Sequence, residues 1–377
     1  MTRRAKHTCH HEPGTESAER CPTERNEREG KTALTFVIRK WLRTGAAADA
    51  LGGYAWCMMI ATLALLAAVE SSPAPAPSCT PAADFTGTIC TPATAGKHPA
   101  ILLLGGSEGG NSMSRNATDF AKSGYVAASV AYFGLPGLPQ SLVKVPVETV
   151  GAALAAIEKR DDVDTQHIAI FGVSKGGEFA LLAASTYPAI HAVIADVPSP
   201  FGWQGISATP SSAAESSWSV AGKPVPFVPY TDAMGQAFGT AFGTHTPLDL
   251  RPAYDDALKN TAAVAAAYFP LEKINGPVLF LSAGDDQIWD SVEQARMGMA
   301  YLKKMHHAFA DQSQEYPDAG HLFVFATPER PFVDTPFAGG LTLRFGGTAA
   351  ANVAAGVDVW PRIMTFLDTA AHAPSRP

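Results

Sequence analysis

From residue 98 to residue 372, short and mostly apolar runs alternate with segments whose apolar residues recur every three or four positions. The runs Ala100 to Leu104, Tyr125 to Tyr132, Ile168 to Phe171, Ile190 to Ala195 and Val278 to Ser282 predict strands covered on both faces. A half-exposed strand would instead alternate apolar with polar residues. Helices are predicted over Met113 to Ser123, Val147 to Lys159, Lys175 to Thr186, Ser291 to Lys304 and, closing the chain, Val357 to Ala370. A short strand is expected around Ser313 to Tyr316. Strands alternating with helices predict an α/β fold, a mainly parallel central sheet with helices on both faces. The alternation breaks at about 198–270, a lid-like insertion holding Phe201, Trp203, Trp218, Phe227, Tyr230, Phe238 and Phe242 among many Gly, Ser and Pro. Such aromatic residues either line an apolar pocket or staple a long excursion to the body of the domain.

Upstream of residue 98 the pattern changes. Residues 1–45 carry 10 Lys or Arg and 6 Asp or Glu with almost no apolar run, and they read as a disordered or misassigned leader. Residues 46–70 contain 20 consecutive uncharged positions, Ala50 to Val69, preceded by Arg39, Lys40 and Arg43. Its length fits a single membrane span, which would anchor the chain through 50–69, whereas its denser part, Met58 to Val69, fits a signal peptide. The signal peptide is the favoured reading, because a Pro/Ala/Ser-rich linker and N-terminal loop, 71–97, follows at once. The expected location is therefore exported: periplasmic, secreted or membrane-anchored. Beyond this segment lie two of the five cysteines, Cys79 and Cys90. An oxidising compartment would let them bridge, and otherwise they are two free thiols. After residue 45 the chain holds 18 basic against 29 acidic residues, a net of −11, which argues against nucleic-acid binding. No Cys/His spacing suggests a metal site.

The candidate chemistry sits at Gly172-Val-Ser-Lys-Gly176, after one predicted strand and before a predicted helix. This G-x-S-x-G spacing places Ser174 at the tip of a tight turn, where glycines two residues away on either side avoid backbone collisions. The turn aims the N–H of Lys175 and the positive helix end at the place where an oxyanion would develop. A serine nucleophile requires a base and a group that orients the base. Downstream, one strand runs into Asp285-Asp286, and another precedes Tyr316-Pro-Asp-Ala-Gly-His321. Asp286 is preferred over Asp285 as the acid because it lies further round the turn, with Trp289 close behind. His321 is the expected base, and His191, His245, His306 and His307 receive no role. The order Ser, Asp, His is that of the α/β-hydrolase fold. The loop Leu104-Gly-Gly-Ser-Glu-Gly-Gly110 supplies a second oxyanion donor, assigned to Ser107 with Glu108 as the nearest alternative. As a phosphate loop it fails, since the G-K-S/T ending is missing and no dinucleotide fingerprint follows. No cofactor is expected.

These blocks resemble the C-terminal hydrolase domain shared by acyl-CoA thioesterases and bile acid-CoA:amino acid N-acyltransferases. The resemblance spans about residues 98–369 and rests on Gly105 to Gly110, the Ala-Tyr-Phe-Gly-Leu-Pro within Val130 to Leu138, Ser174-Lys-Gly-Gly-Glu178, Asp285 to Trp289, Tyr316 to His321 and Gly346-Gly-Thr. It implies that Ser174 is acylated, that Asp286 orients and that His321 acts as base. In that family a cysteine nucleophile accompanies transfer to an amino acid and serine accompanies hydrolysis, so the resemblance implies a hydrolase. The family's N-terminal β-sandwich domain is not expected, because only about 30 residues separate the apolar segment from the first strand. Three readings follow: a hydrolase of small acyl thioesters or esters, an exported carboxylesterase resembling dienelactone hydrolases that makes no use of CoA, and an envelope binding protein without turnover.

Overall fold

The computed structural model describes residues 76–207, 214–336 and 338–372; the leader and the apolar segment at 46–70 lie outside the described residues. No helix among the described residues is long and apolar enough to cross a membrane. In chain order the first elements are β1 (Ser78–Pro81), β2 (Gly87–Thr91), β3 (His98–Leu104), α1 (Ser114–Lys122), β4 (Val126–Val130), β5 (Val145–Pro146) and α2 (Glu148–Glu158). Next come β6 (Val163–Val173), α3 (Lys175–Thr186), β7 (Ala192–Asp196), β8 (Trp218–Val220), β9 (Lys223–Pro224), α4 (Asp232–Thr244), α5 (Arg251–Leu258) and α6 (Thr261–Ala267). The chain continues through β10 (Val278–Ala283), α7 (Ser291–Lys304), β11 (Gln312–Tyr316), β12 (Asp334–Pro336), β13 (Thr342–Arg344) and α8 (Ala349–Ala371).

The main sheet has eight strands in the order β1-β2-β4-β3-β6-β7-β10-β11. From β4 to β11 all neighbours are parallel, and β1 and β2 join antiparallel at one edge. The mostly apolar central strands are explained by two cores. Ala100, Leu102 and Leu104 of β3 pack on the face covered by α2, α3 and α7, while Ile101 and Leu103 pack on the face covered by α1 and α8. After β3 the chain moves to one side, to β4, and then returns to β6 on the other. A crevice forms at the carboxyl ends of strands where their order reverses in this way. This is the α/β-hydrolase arrangement, with the loop after β3 and the turn after β6 side by side.

Three expectations are corrected. The segment 71–97 is not wholly linker and loop, since β1 and β2 lie within it and extend the sheet beyond residue 98. Its Ser, Thr, Pro and Gly residues suit an exposed edge, where no apolar run is required. Cys79 and Cys90 stand opposite each other in this pair and form a disulfide. The closing helix starts at Ala349, earlier than Val357, with the Thr348 hydroxyl accepting the N–H of Ala351 at 3.1 Å. The excursion is also less irregular than expected, holding α4, α5, α6 and the strands β8 and β9, which join β5 in a small sheet.

The aromatic residues of the excursion divide between the two roles. Phe201, Trp203 and Trp218 are fully buried and tie it down, whereas Tyr230 and Phe238 line a cavity. The ties reach the site through edge-to-face ring contacts: Trp203 with Tyr254 at 4.8 Å, Tyr254 with Trp289 at 5.3 Å, and Trp289 with His321 at 5.4 Å.

Candidate active site

Ser174 joins β6 to α3 with φ 56° and ψ −122°. This conformation favours glycine and costs a side-chain-bearing residue about 1–3 kcal/mol. The flanking glycines are required sterically: a Cβ on Gly172 would lie 2.0 Å from the Gly176 carbonyl oxygen, and one on Gly176 would lie 2.1 Å from that of Gly105. The Ser174 N–H donates to the Asp196 carbonyl at 2.9 Å, fastening the turn to β7.

Three side chains from three strand ends meet here. His321 Nε2 lies 2.8 Å from Ser174 Oγ, and His321 Nδ1 lies 2.8 Å from Asp286 Oδ2. All three residues are buried. With its proton on Nδ1 the imidazole donates to Asp286 and turns the Nε2 lone pair toward the serine hydroxyl. The other Asp286 oxygen accepts the N–H groups of Ile288 and Trp289 at 2.9 and 3.2 Å. The histidine is fixed through its backbone, its N–H donating to the Phe345 carbonyl at 2.8 Å. Asp285 turns elsewhere and accepts from Gln287 Nε2 and from the Gly347 N–H.

Ser174 and His321 open into a cavity of about 1850 Å³ that Ser107 and Lys175 also line. Its walls include Tyr230, Met234 and Phe238 of the excursion and Phe345 near His321. This apolar part of the wall suits a ligand with a hydrocarbon portion, while charged side chains, among them Arg115, Lys122, Glu215 and Arg330, line other parts. Lys175 places its backbone N–H at the start of α3 while its side chain runs into the core. There its ammonium meets Glu178 at 2.6 Å, both side chains being almost wholly buried. The other Glu178 oxygen accepts the Trp203 N–H and the Trp218 indole N–H. Burial pushes Glu178 up and Lys175 down from their usual ranges, against the attraction of the pair.

Two nearby groups receive no role from the sequence. Asp196, at the end of β7, is fully buried, and neither carboxylate oxygen has a hydrogen-bond partner among the described residues. Burial and the neighbouring Asp286 push its carboxyl well above the usual carboxylate range. A charged residue closing an otherwise apolar strand was its only signal. Tyr132 is also buried, and its hydroxyl donates to the loop after β3, at 2.6 Å from the Gly105 carbonyl oxygen and 2.8 Å from that of Gly106. Among the described residues, no group of three or more His, Cys, Asp or Glu side chains is arranged to hold a metal ion.

Residues 145–373 match the family described as BAAT / acyl-CoA thioester hydrolase C terminal. Acyl-coenzyme A thioesterase 6 of Mus musculus is 30% identical over 281 residues, which cover 74% of this chain and 61% of that relative. Acyl-coenzyme A amino acid N-acyltransferase 1 of Mus musculus is 26% identical over 291 residues, covering 74% of this chain and 62% of its own length. The chain therefore spans about three fifths of these relatives. A putative dienelactone hydrolase from Klebsiella pneumoniae superposes with a TM-score of 0.45 at 16% identity, covering 78% of this chain and 99% of that one.

Proposed function

The chain belongs to the BAAT / acyl-CoA thioester hydrolase C-terminal family, and from that premise we propose that it hydrolyses acyl thioesters through an acyl-enzyme on Ser174. The observation that carries this reading is the continuous chain Ser174–His321–Asp286, with both links at 2.8 Å. His321 takes the serine proton as Oγ attacks the acyl carbonyl, and Asp286 holds the imidazole and stabilises its charged form. Negative charge on the carbonyl oxygen meets the N–H groups of Lys175 and Ser107 and the positive end of α3. Collapse of the tetrahedral species expels the thiolate, which takes the proton from His321. A water then repeats the sequence on the acyl-serine and releases the acid. The apolar cavity wall supports a hydrocarbon acyl group.

A second reading keeps this machinery and replaces the thioester by a simple carboxylic ester in an exported enzyme. It is supported by the Cys79–Cys90 disulfide, which suits an oxidising compartment, by the uncharged segment at 50–69, and by an acidic balance unsuited to attracting polyanionic CoA. Purified protein assayed on a series of acyl-CoAs and p-nitrophenyl esters separates the two by the ratio of kcat/KM. Ser174→Ala is expected to abolish turnover of either substrate and labelling by a fluorophosphonate probe. Equal turnover in that variant would refute the acyl-enzyme, and a wild-type protein that neither turns over nor labels would indicate a binding protein.

A further inference from the structure

We infer that Tyr132 is a positioning residue that aims the Ser107 N–H into the oxyanion site; this rests on the acyl-enzyme reading above. The carbonyl oxygens of Gly105 and Gly106 are both within hydrogen-bond reach of the buried Tyr132 hydroxyl. No peptide bond among the described residues is cis. In a trans peptide the carbonyl and the following N–H point in opposite directions. Drawing the Gly106 carbonyl toward Tyr132 therefore turns the Ser107 N–H away from the core, and the same hold on Gly105 turns out the N–H of Gly106.

On that outer side the two donors differ. The Gly106 N–H is taken by Glu108 Oε1 at 3.1 Å, whereas the Ser107 N–H has no acceptor among the described residues. The serine turn lies alongside, since a Cβ on Gly106 would stand 3.4 Å from Ser174 Cβ. Nor can the loop relax toward α3, because the Gly105 carbonyl already fills the space beside Gly176.

Tyr132 is itself fixed by Phe179, Trp218 and Phe133, with ring centroids 5.0, 5.9 and 5.3 Å away. Burial, with Glu108 and Glu178 adding to it, pushes the phenol well above its usual range and keeps it a donor. Its hydroxyl does not line the cavity. Any effect of the hydroxyl on turnover therefore passes through the loop.

The test is Tyr132→Phe, which removes one oxygen and keeps the packed ring. Expected is a fall in kcat on the order of 10²-fold, the scale for losing one oxyanion donor, with KM nearly unchanged. A trifluoromethyl ketone, which forms a tetrahedral oxyanion on the serine, should lose affinity by the same factor as kcat/KM falls. A non-hydrolysable thioether of the same chain, which forms none, should bind as before. Ser107→Pro deletes the donor with Tyr132 intact and keeps the inference open to test should Tyr132→Phe fail to fold. It should show the same split between ketone and thioether, and the double variant should lose no more than Ser107→Pro alone.

The inference is overturned if Tyr132→Phe turns over at the wild-type rate, or if ketone and thioether weaken equally. Losses that multiply in the double variant, or a Ser107→Pro variant that keeps full ketone affinity, would overturn it as well. Failure of the acyl-enzyme reading is seen separately, as turnover that persists in Ser174→Ala.

Discussion

The Lys175–Glu178 pair lies in the first turn of α3, next to Ser174, and its energetics follow from its burial. The two side chains retain 1% and 0% of their exposure at a separation of 2.6 Å. Desolvation is the largest influence on each and works against the charged form of both, so the attraction offsets burial without exceeding it. Glu178→Gln keeps an oxygen for the Trp203 and Trp218 donors but leaves the ammonium with only the Trp218 ring, 5.2 Å away. Breaking a buried pair by removing one partner costs about 3–5 kcal/mol. For a folded unit of this size that corresponds to a Tm lowered by roughly 6–10 °C, at about 2 °C per kcal/mol. Lys175→Met should cost less, because the remaining carboxylate keeps both tryptophan donors. The double variant Lys175→Met/Glu178→Gln should recover most of the loss, since no buried charge remains and the tryptophan donors keep an acceptor. Urea denaturation at neutral pH, read by tryptophan fluorescence, measures all three. Single losses below about 1 kcal/mol, or a double variant equal to the sum of the singles, would refute the picture of a coupled, desolvated pair.

Two further outcomes are expected. Asp286→Asn should lower kcat on the order of 10⁴-fold by presenting the wrong histidine tautomer, whereas Asp285→Asn should turn over like wild type; equal losses in the two would refute the assignment of the acid. Asp196, whose carboxyl is raised in the folded state, contributes its full stability below its unfolded pKa of about 4 and loses it as pH rises through the folded value. Asp196→Asn should therefore gain in Tm over wild type as pH is raised from 5 to 9, and parallel curves for the two proteins would refute the assignment.

What could be read from the residues depended on how much each position was constrained by its neighbours. β3, β7, β10 and the carboxyl half of β6 were legible because burial on both faces demands mostly apolar runs, whereas Val163 to His167 of β6 is partly exposed and gives no such run; the elbow was legible because its glycines answer a steric requirement. α7 was bounded correctly as Ser291–Lys304, its Asp290 side chain accepting the Glu293 N–H at its start. The first turns of α8 were missed because they are alanine-rich and bury Asn352, where an apolar stripe is the usual signal. β1 is exposed at every position and gives no hydrophobic pattern at all. Choosing between Asp285 and Asp286 needed the direction of each side chain, which adjacent identical residues do not encode. Tyr132 read as one more apolar strand residue, because the use of its hydroxyl depends on a loop 26 residues earlier in the chain.

Ser174 holds a backbone conformation that glycine adopts without penalty and serine does not. Random substitution filtered only for folding would therefore drift toward glycine at this position, releasing strain in the process. A serine there is stability forgone. At 174 that strain coincides with a hydroxyl 2.8 Å from His321 Nε2, so its cost falls where the site is assembled.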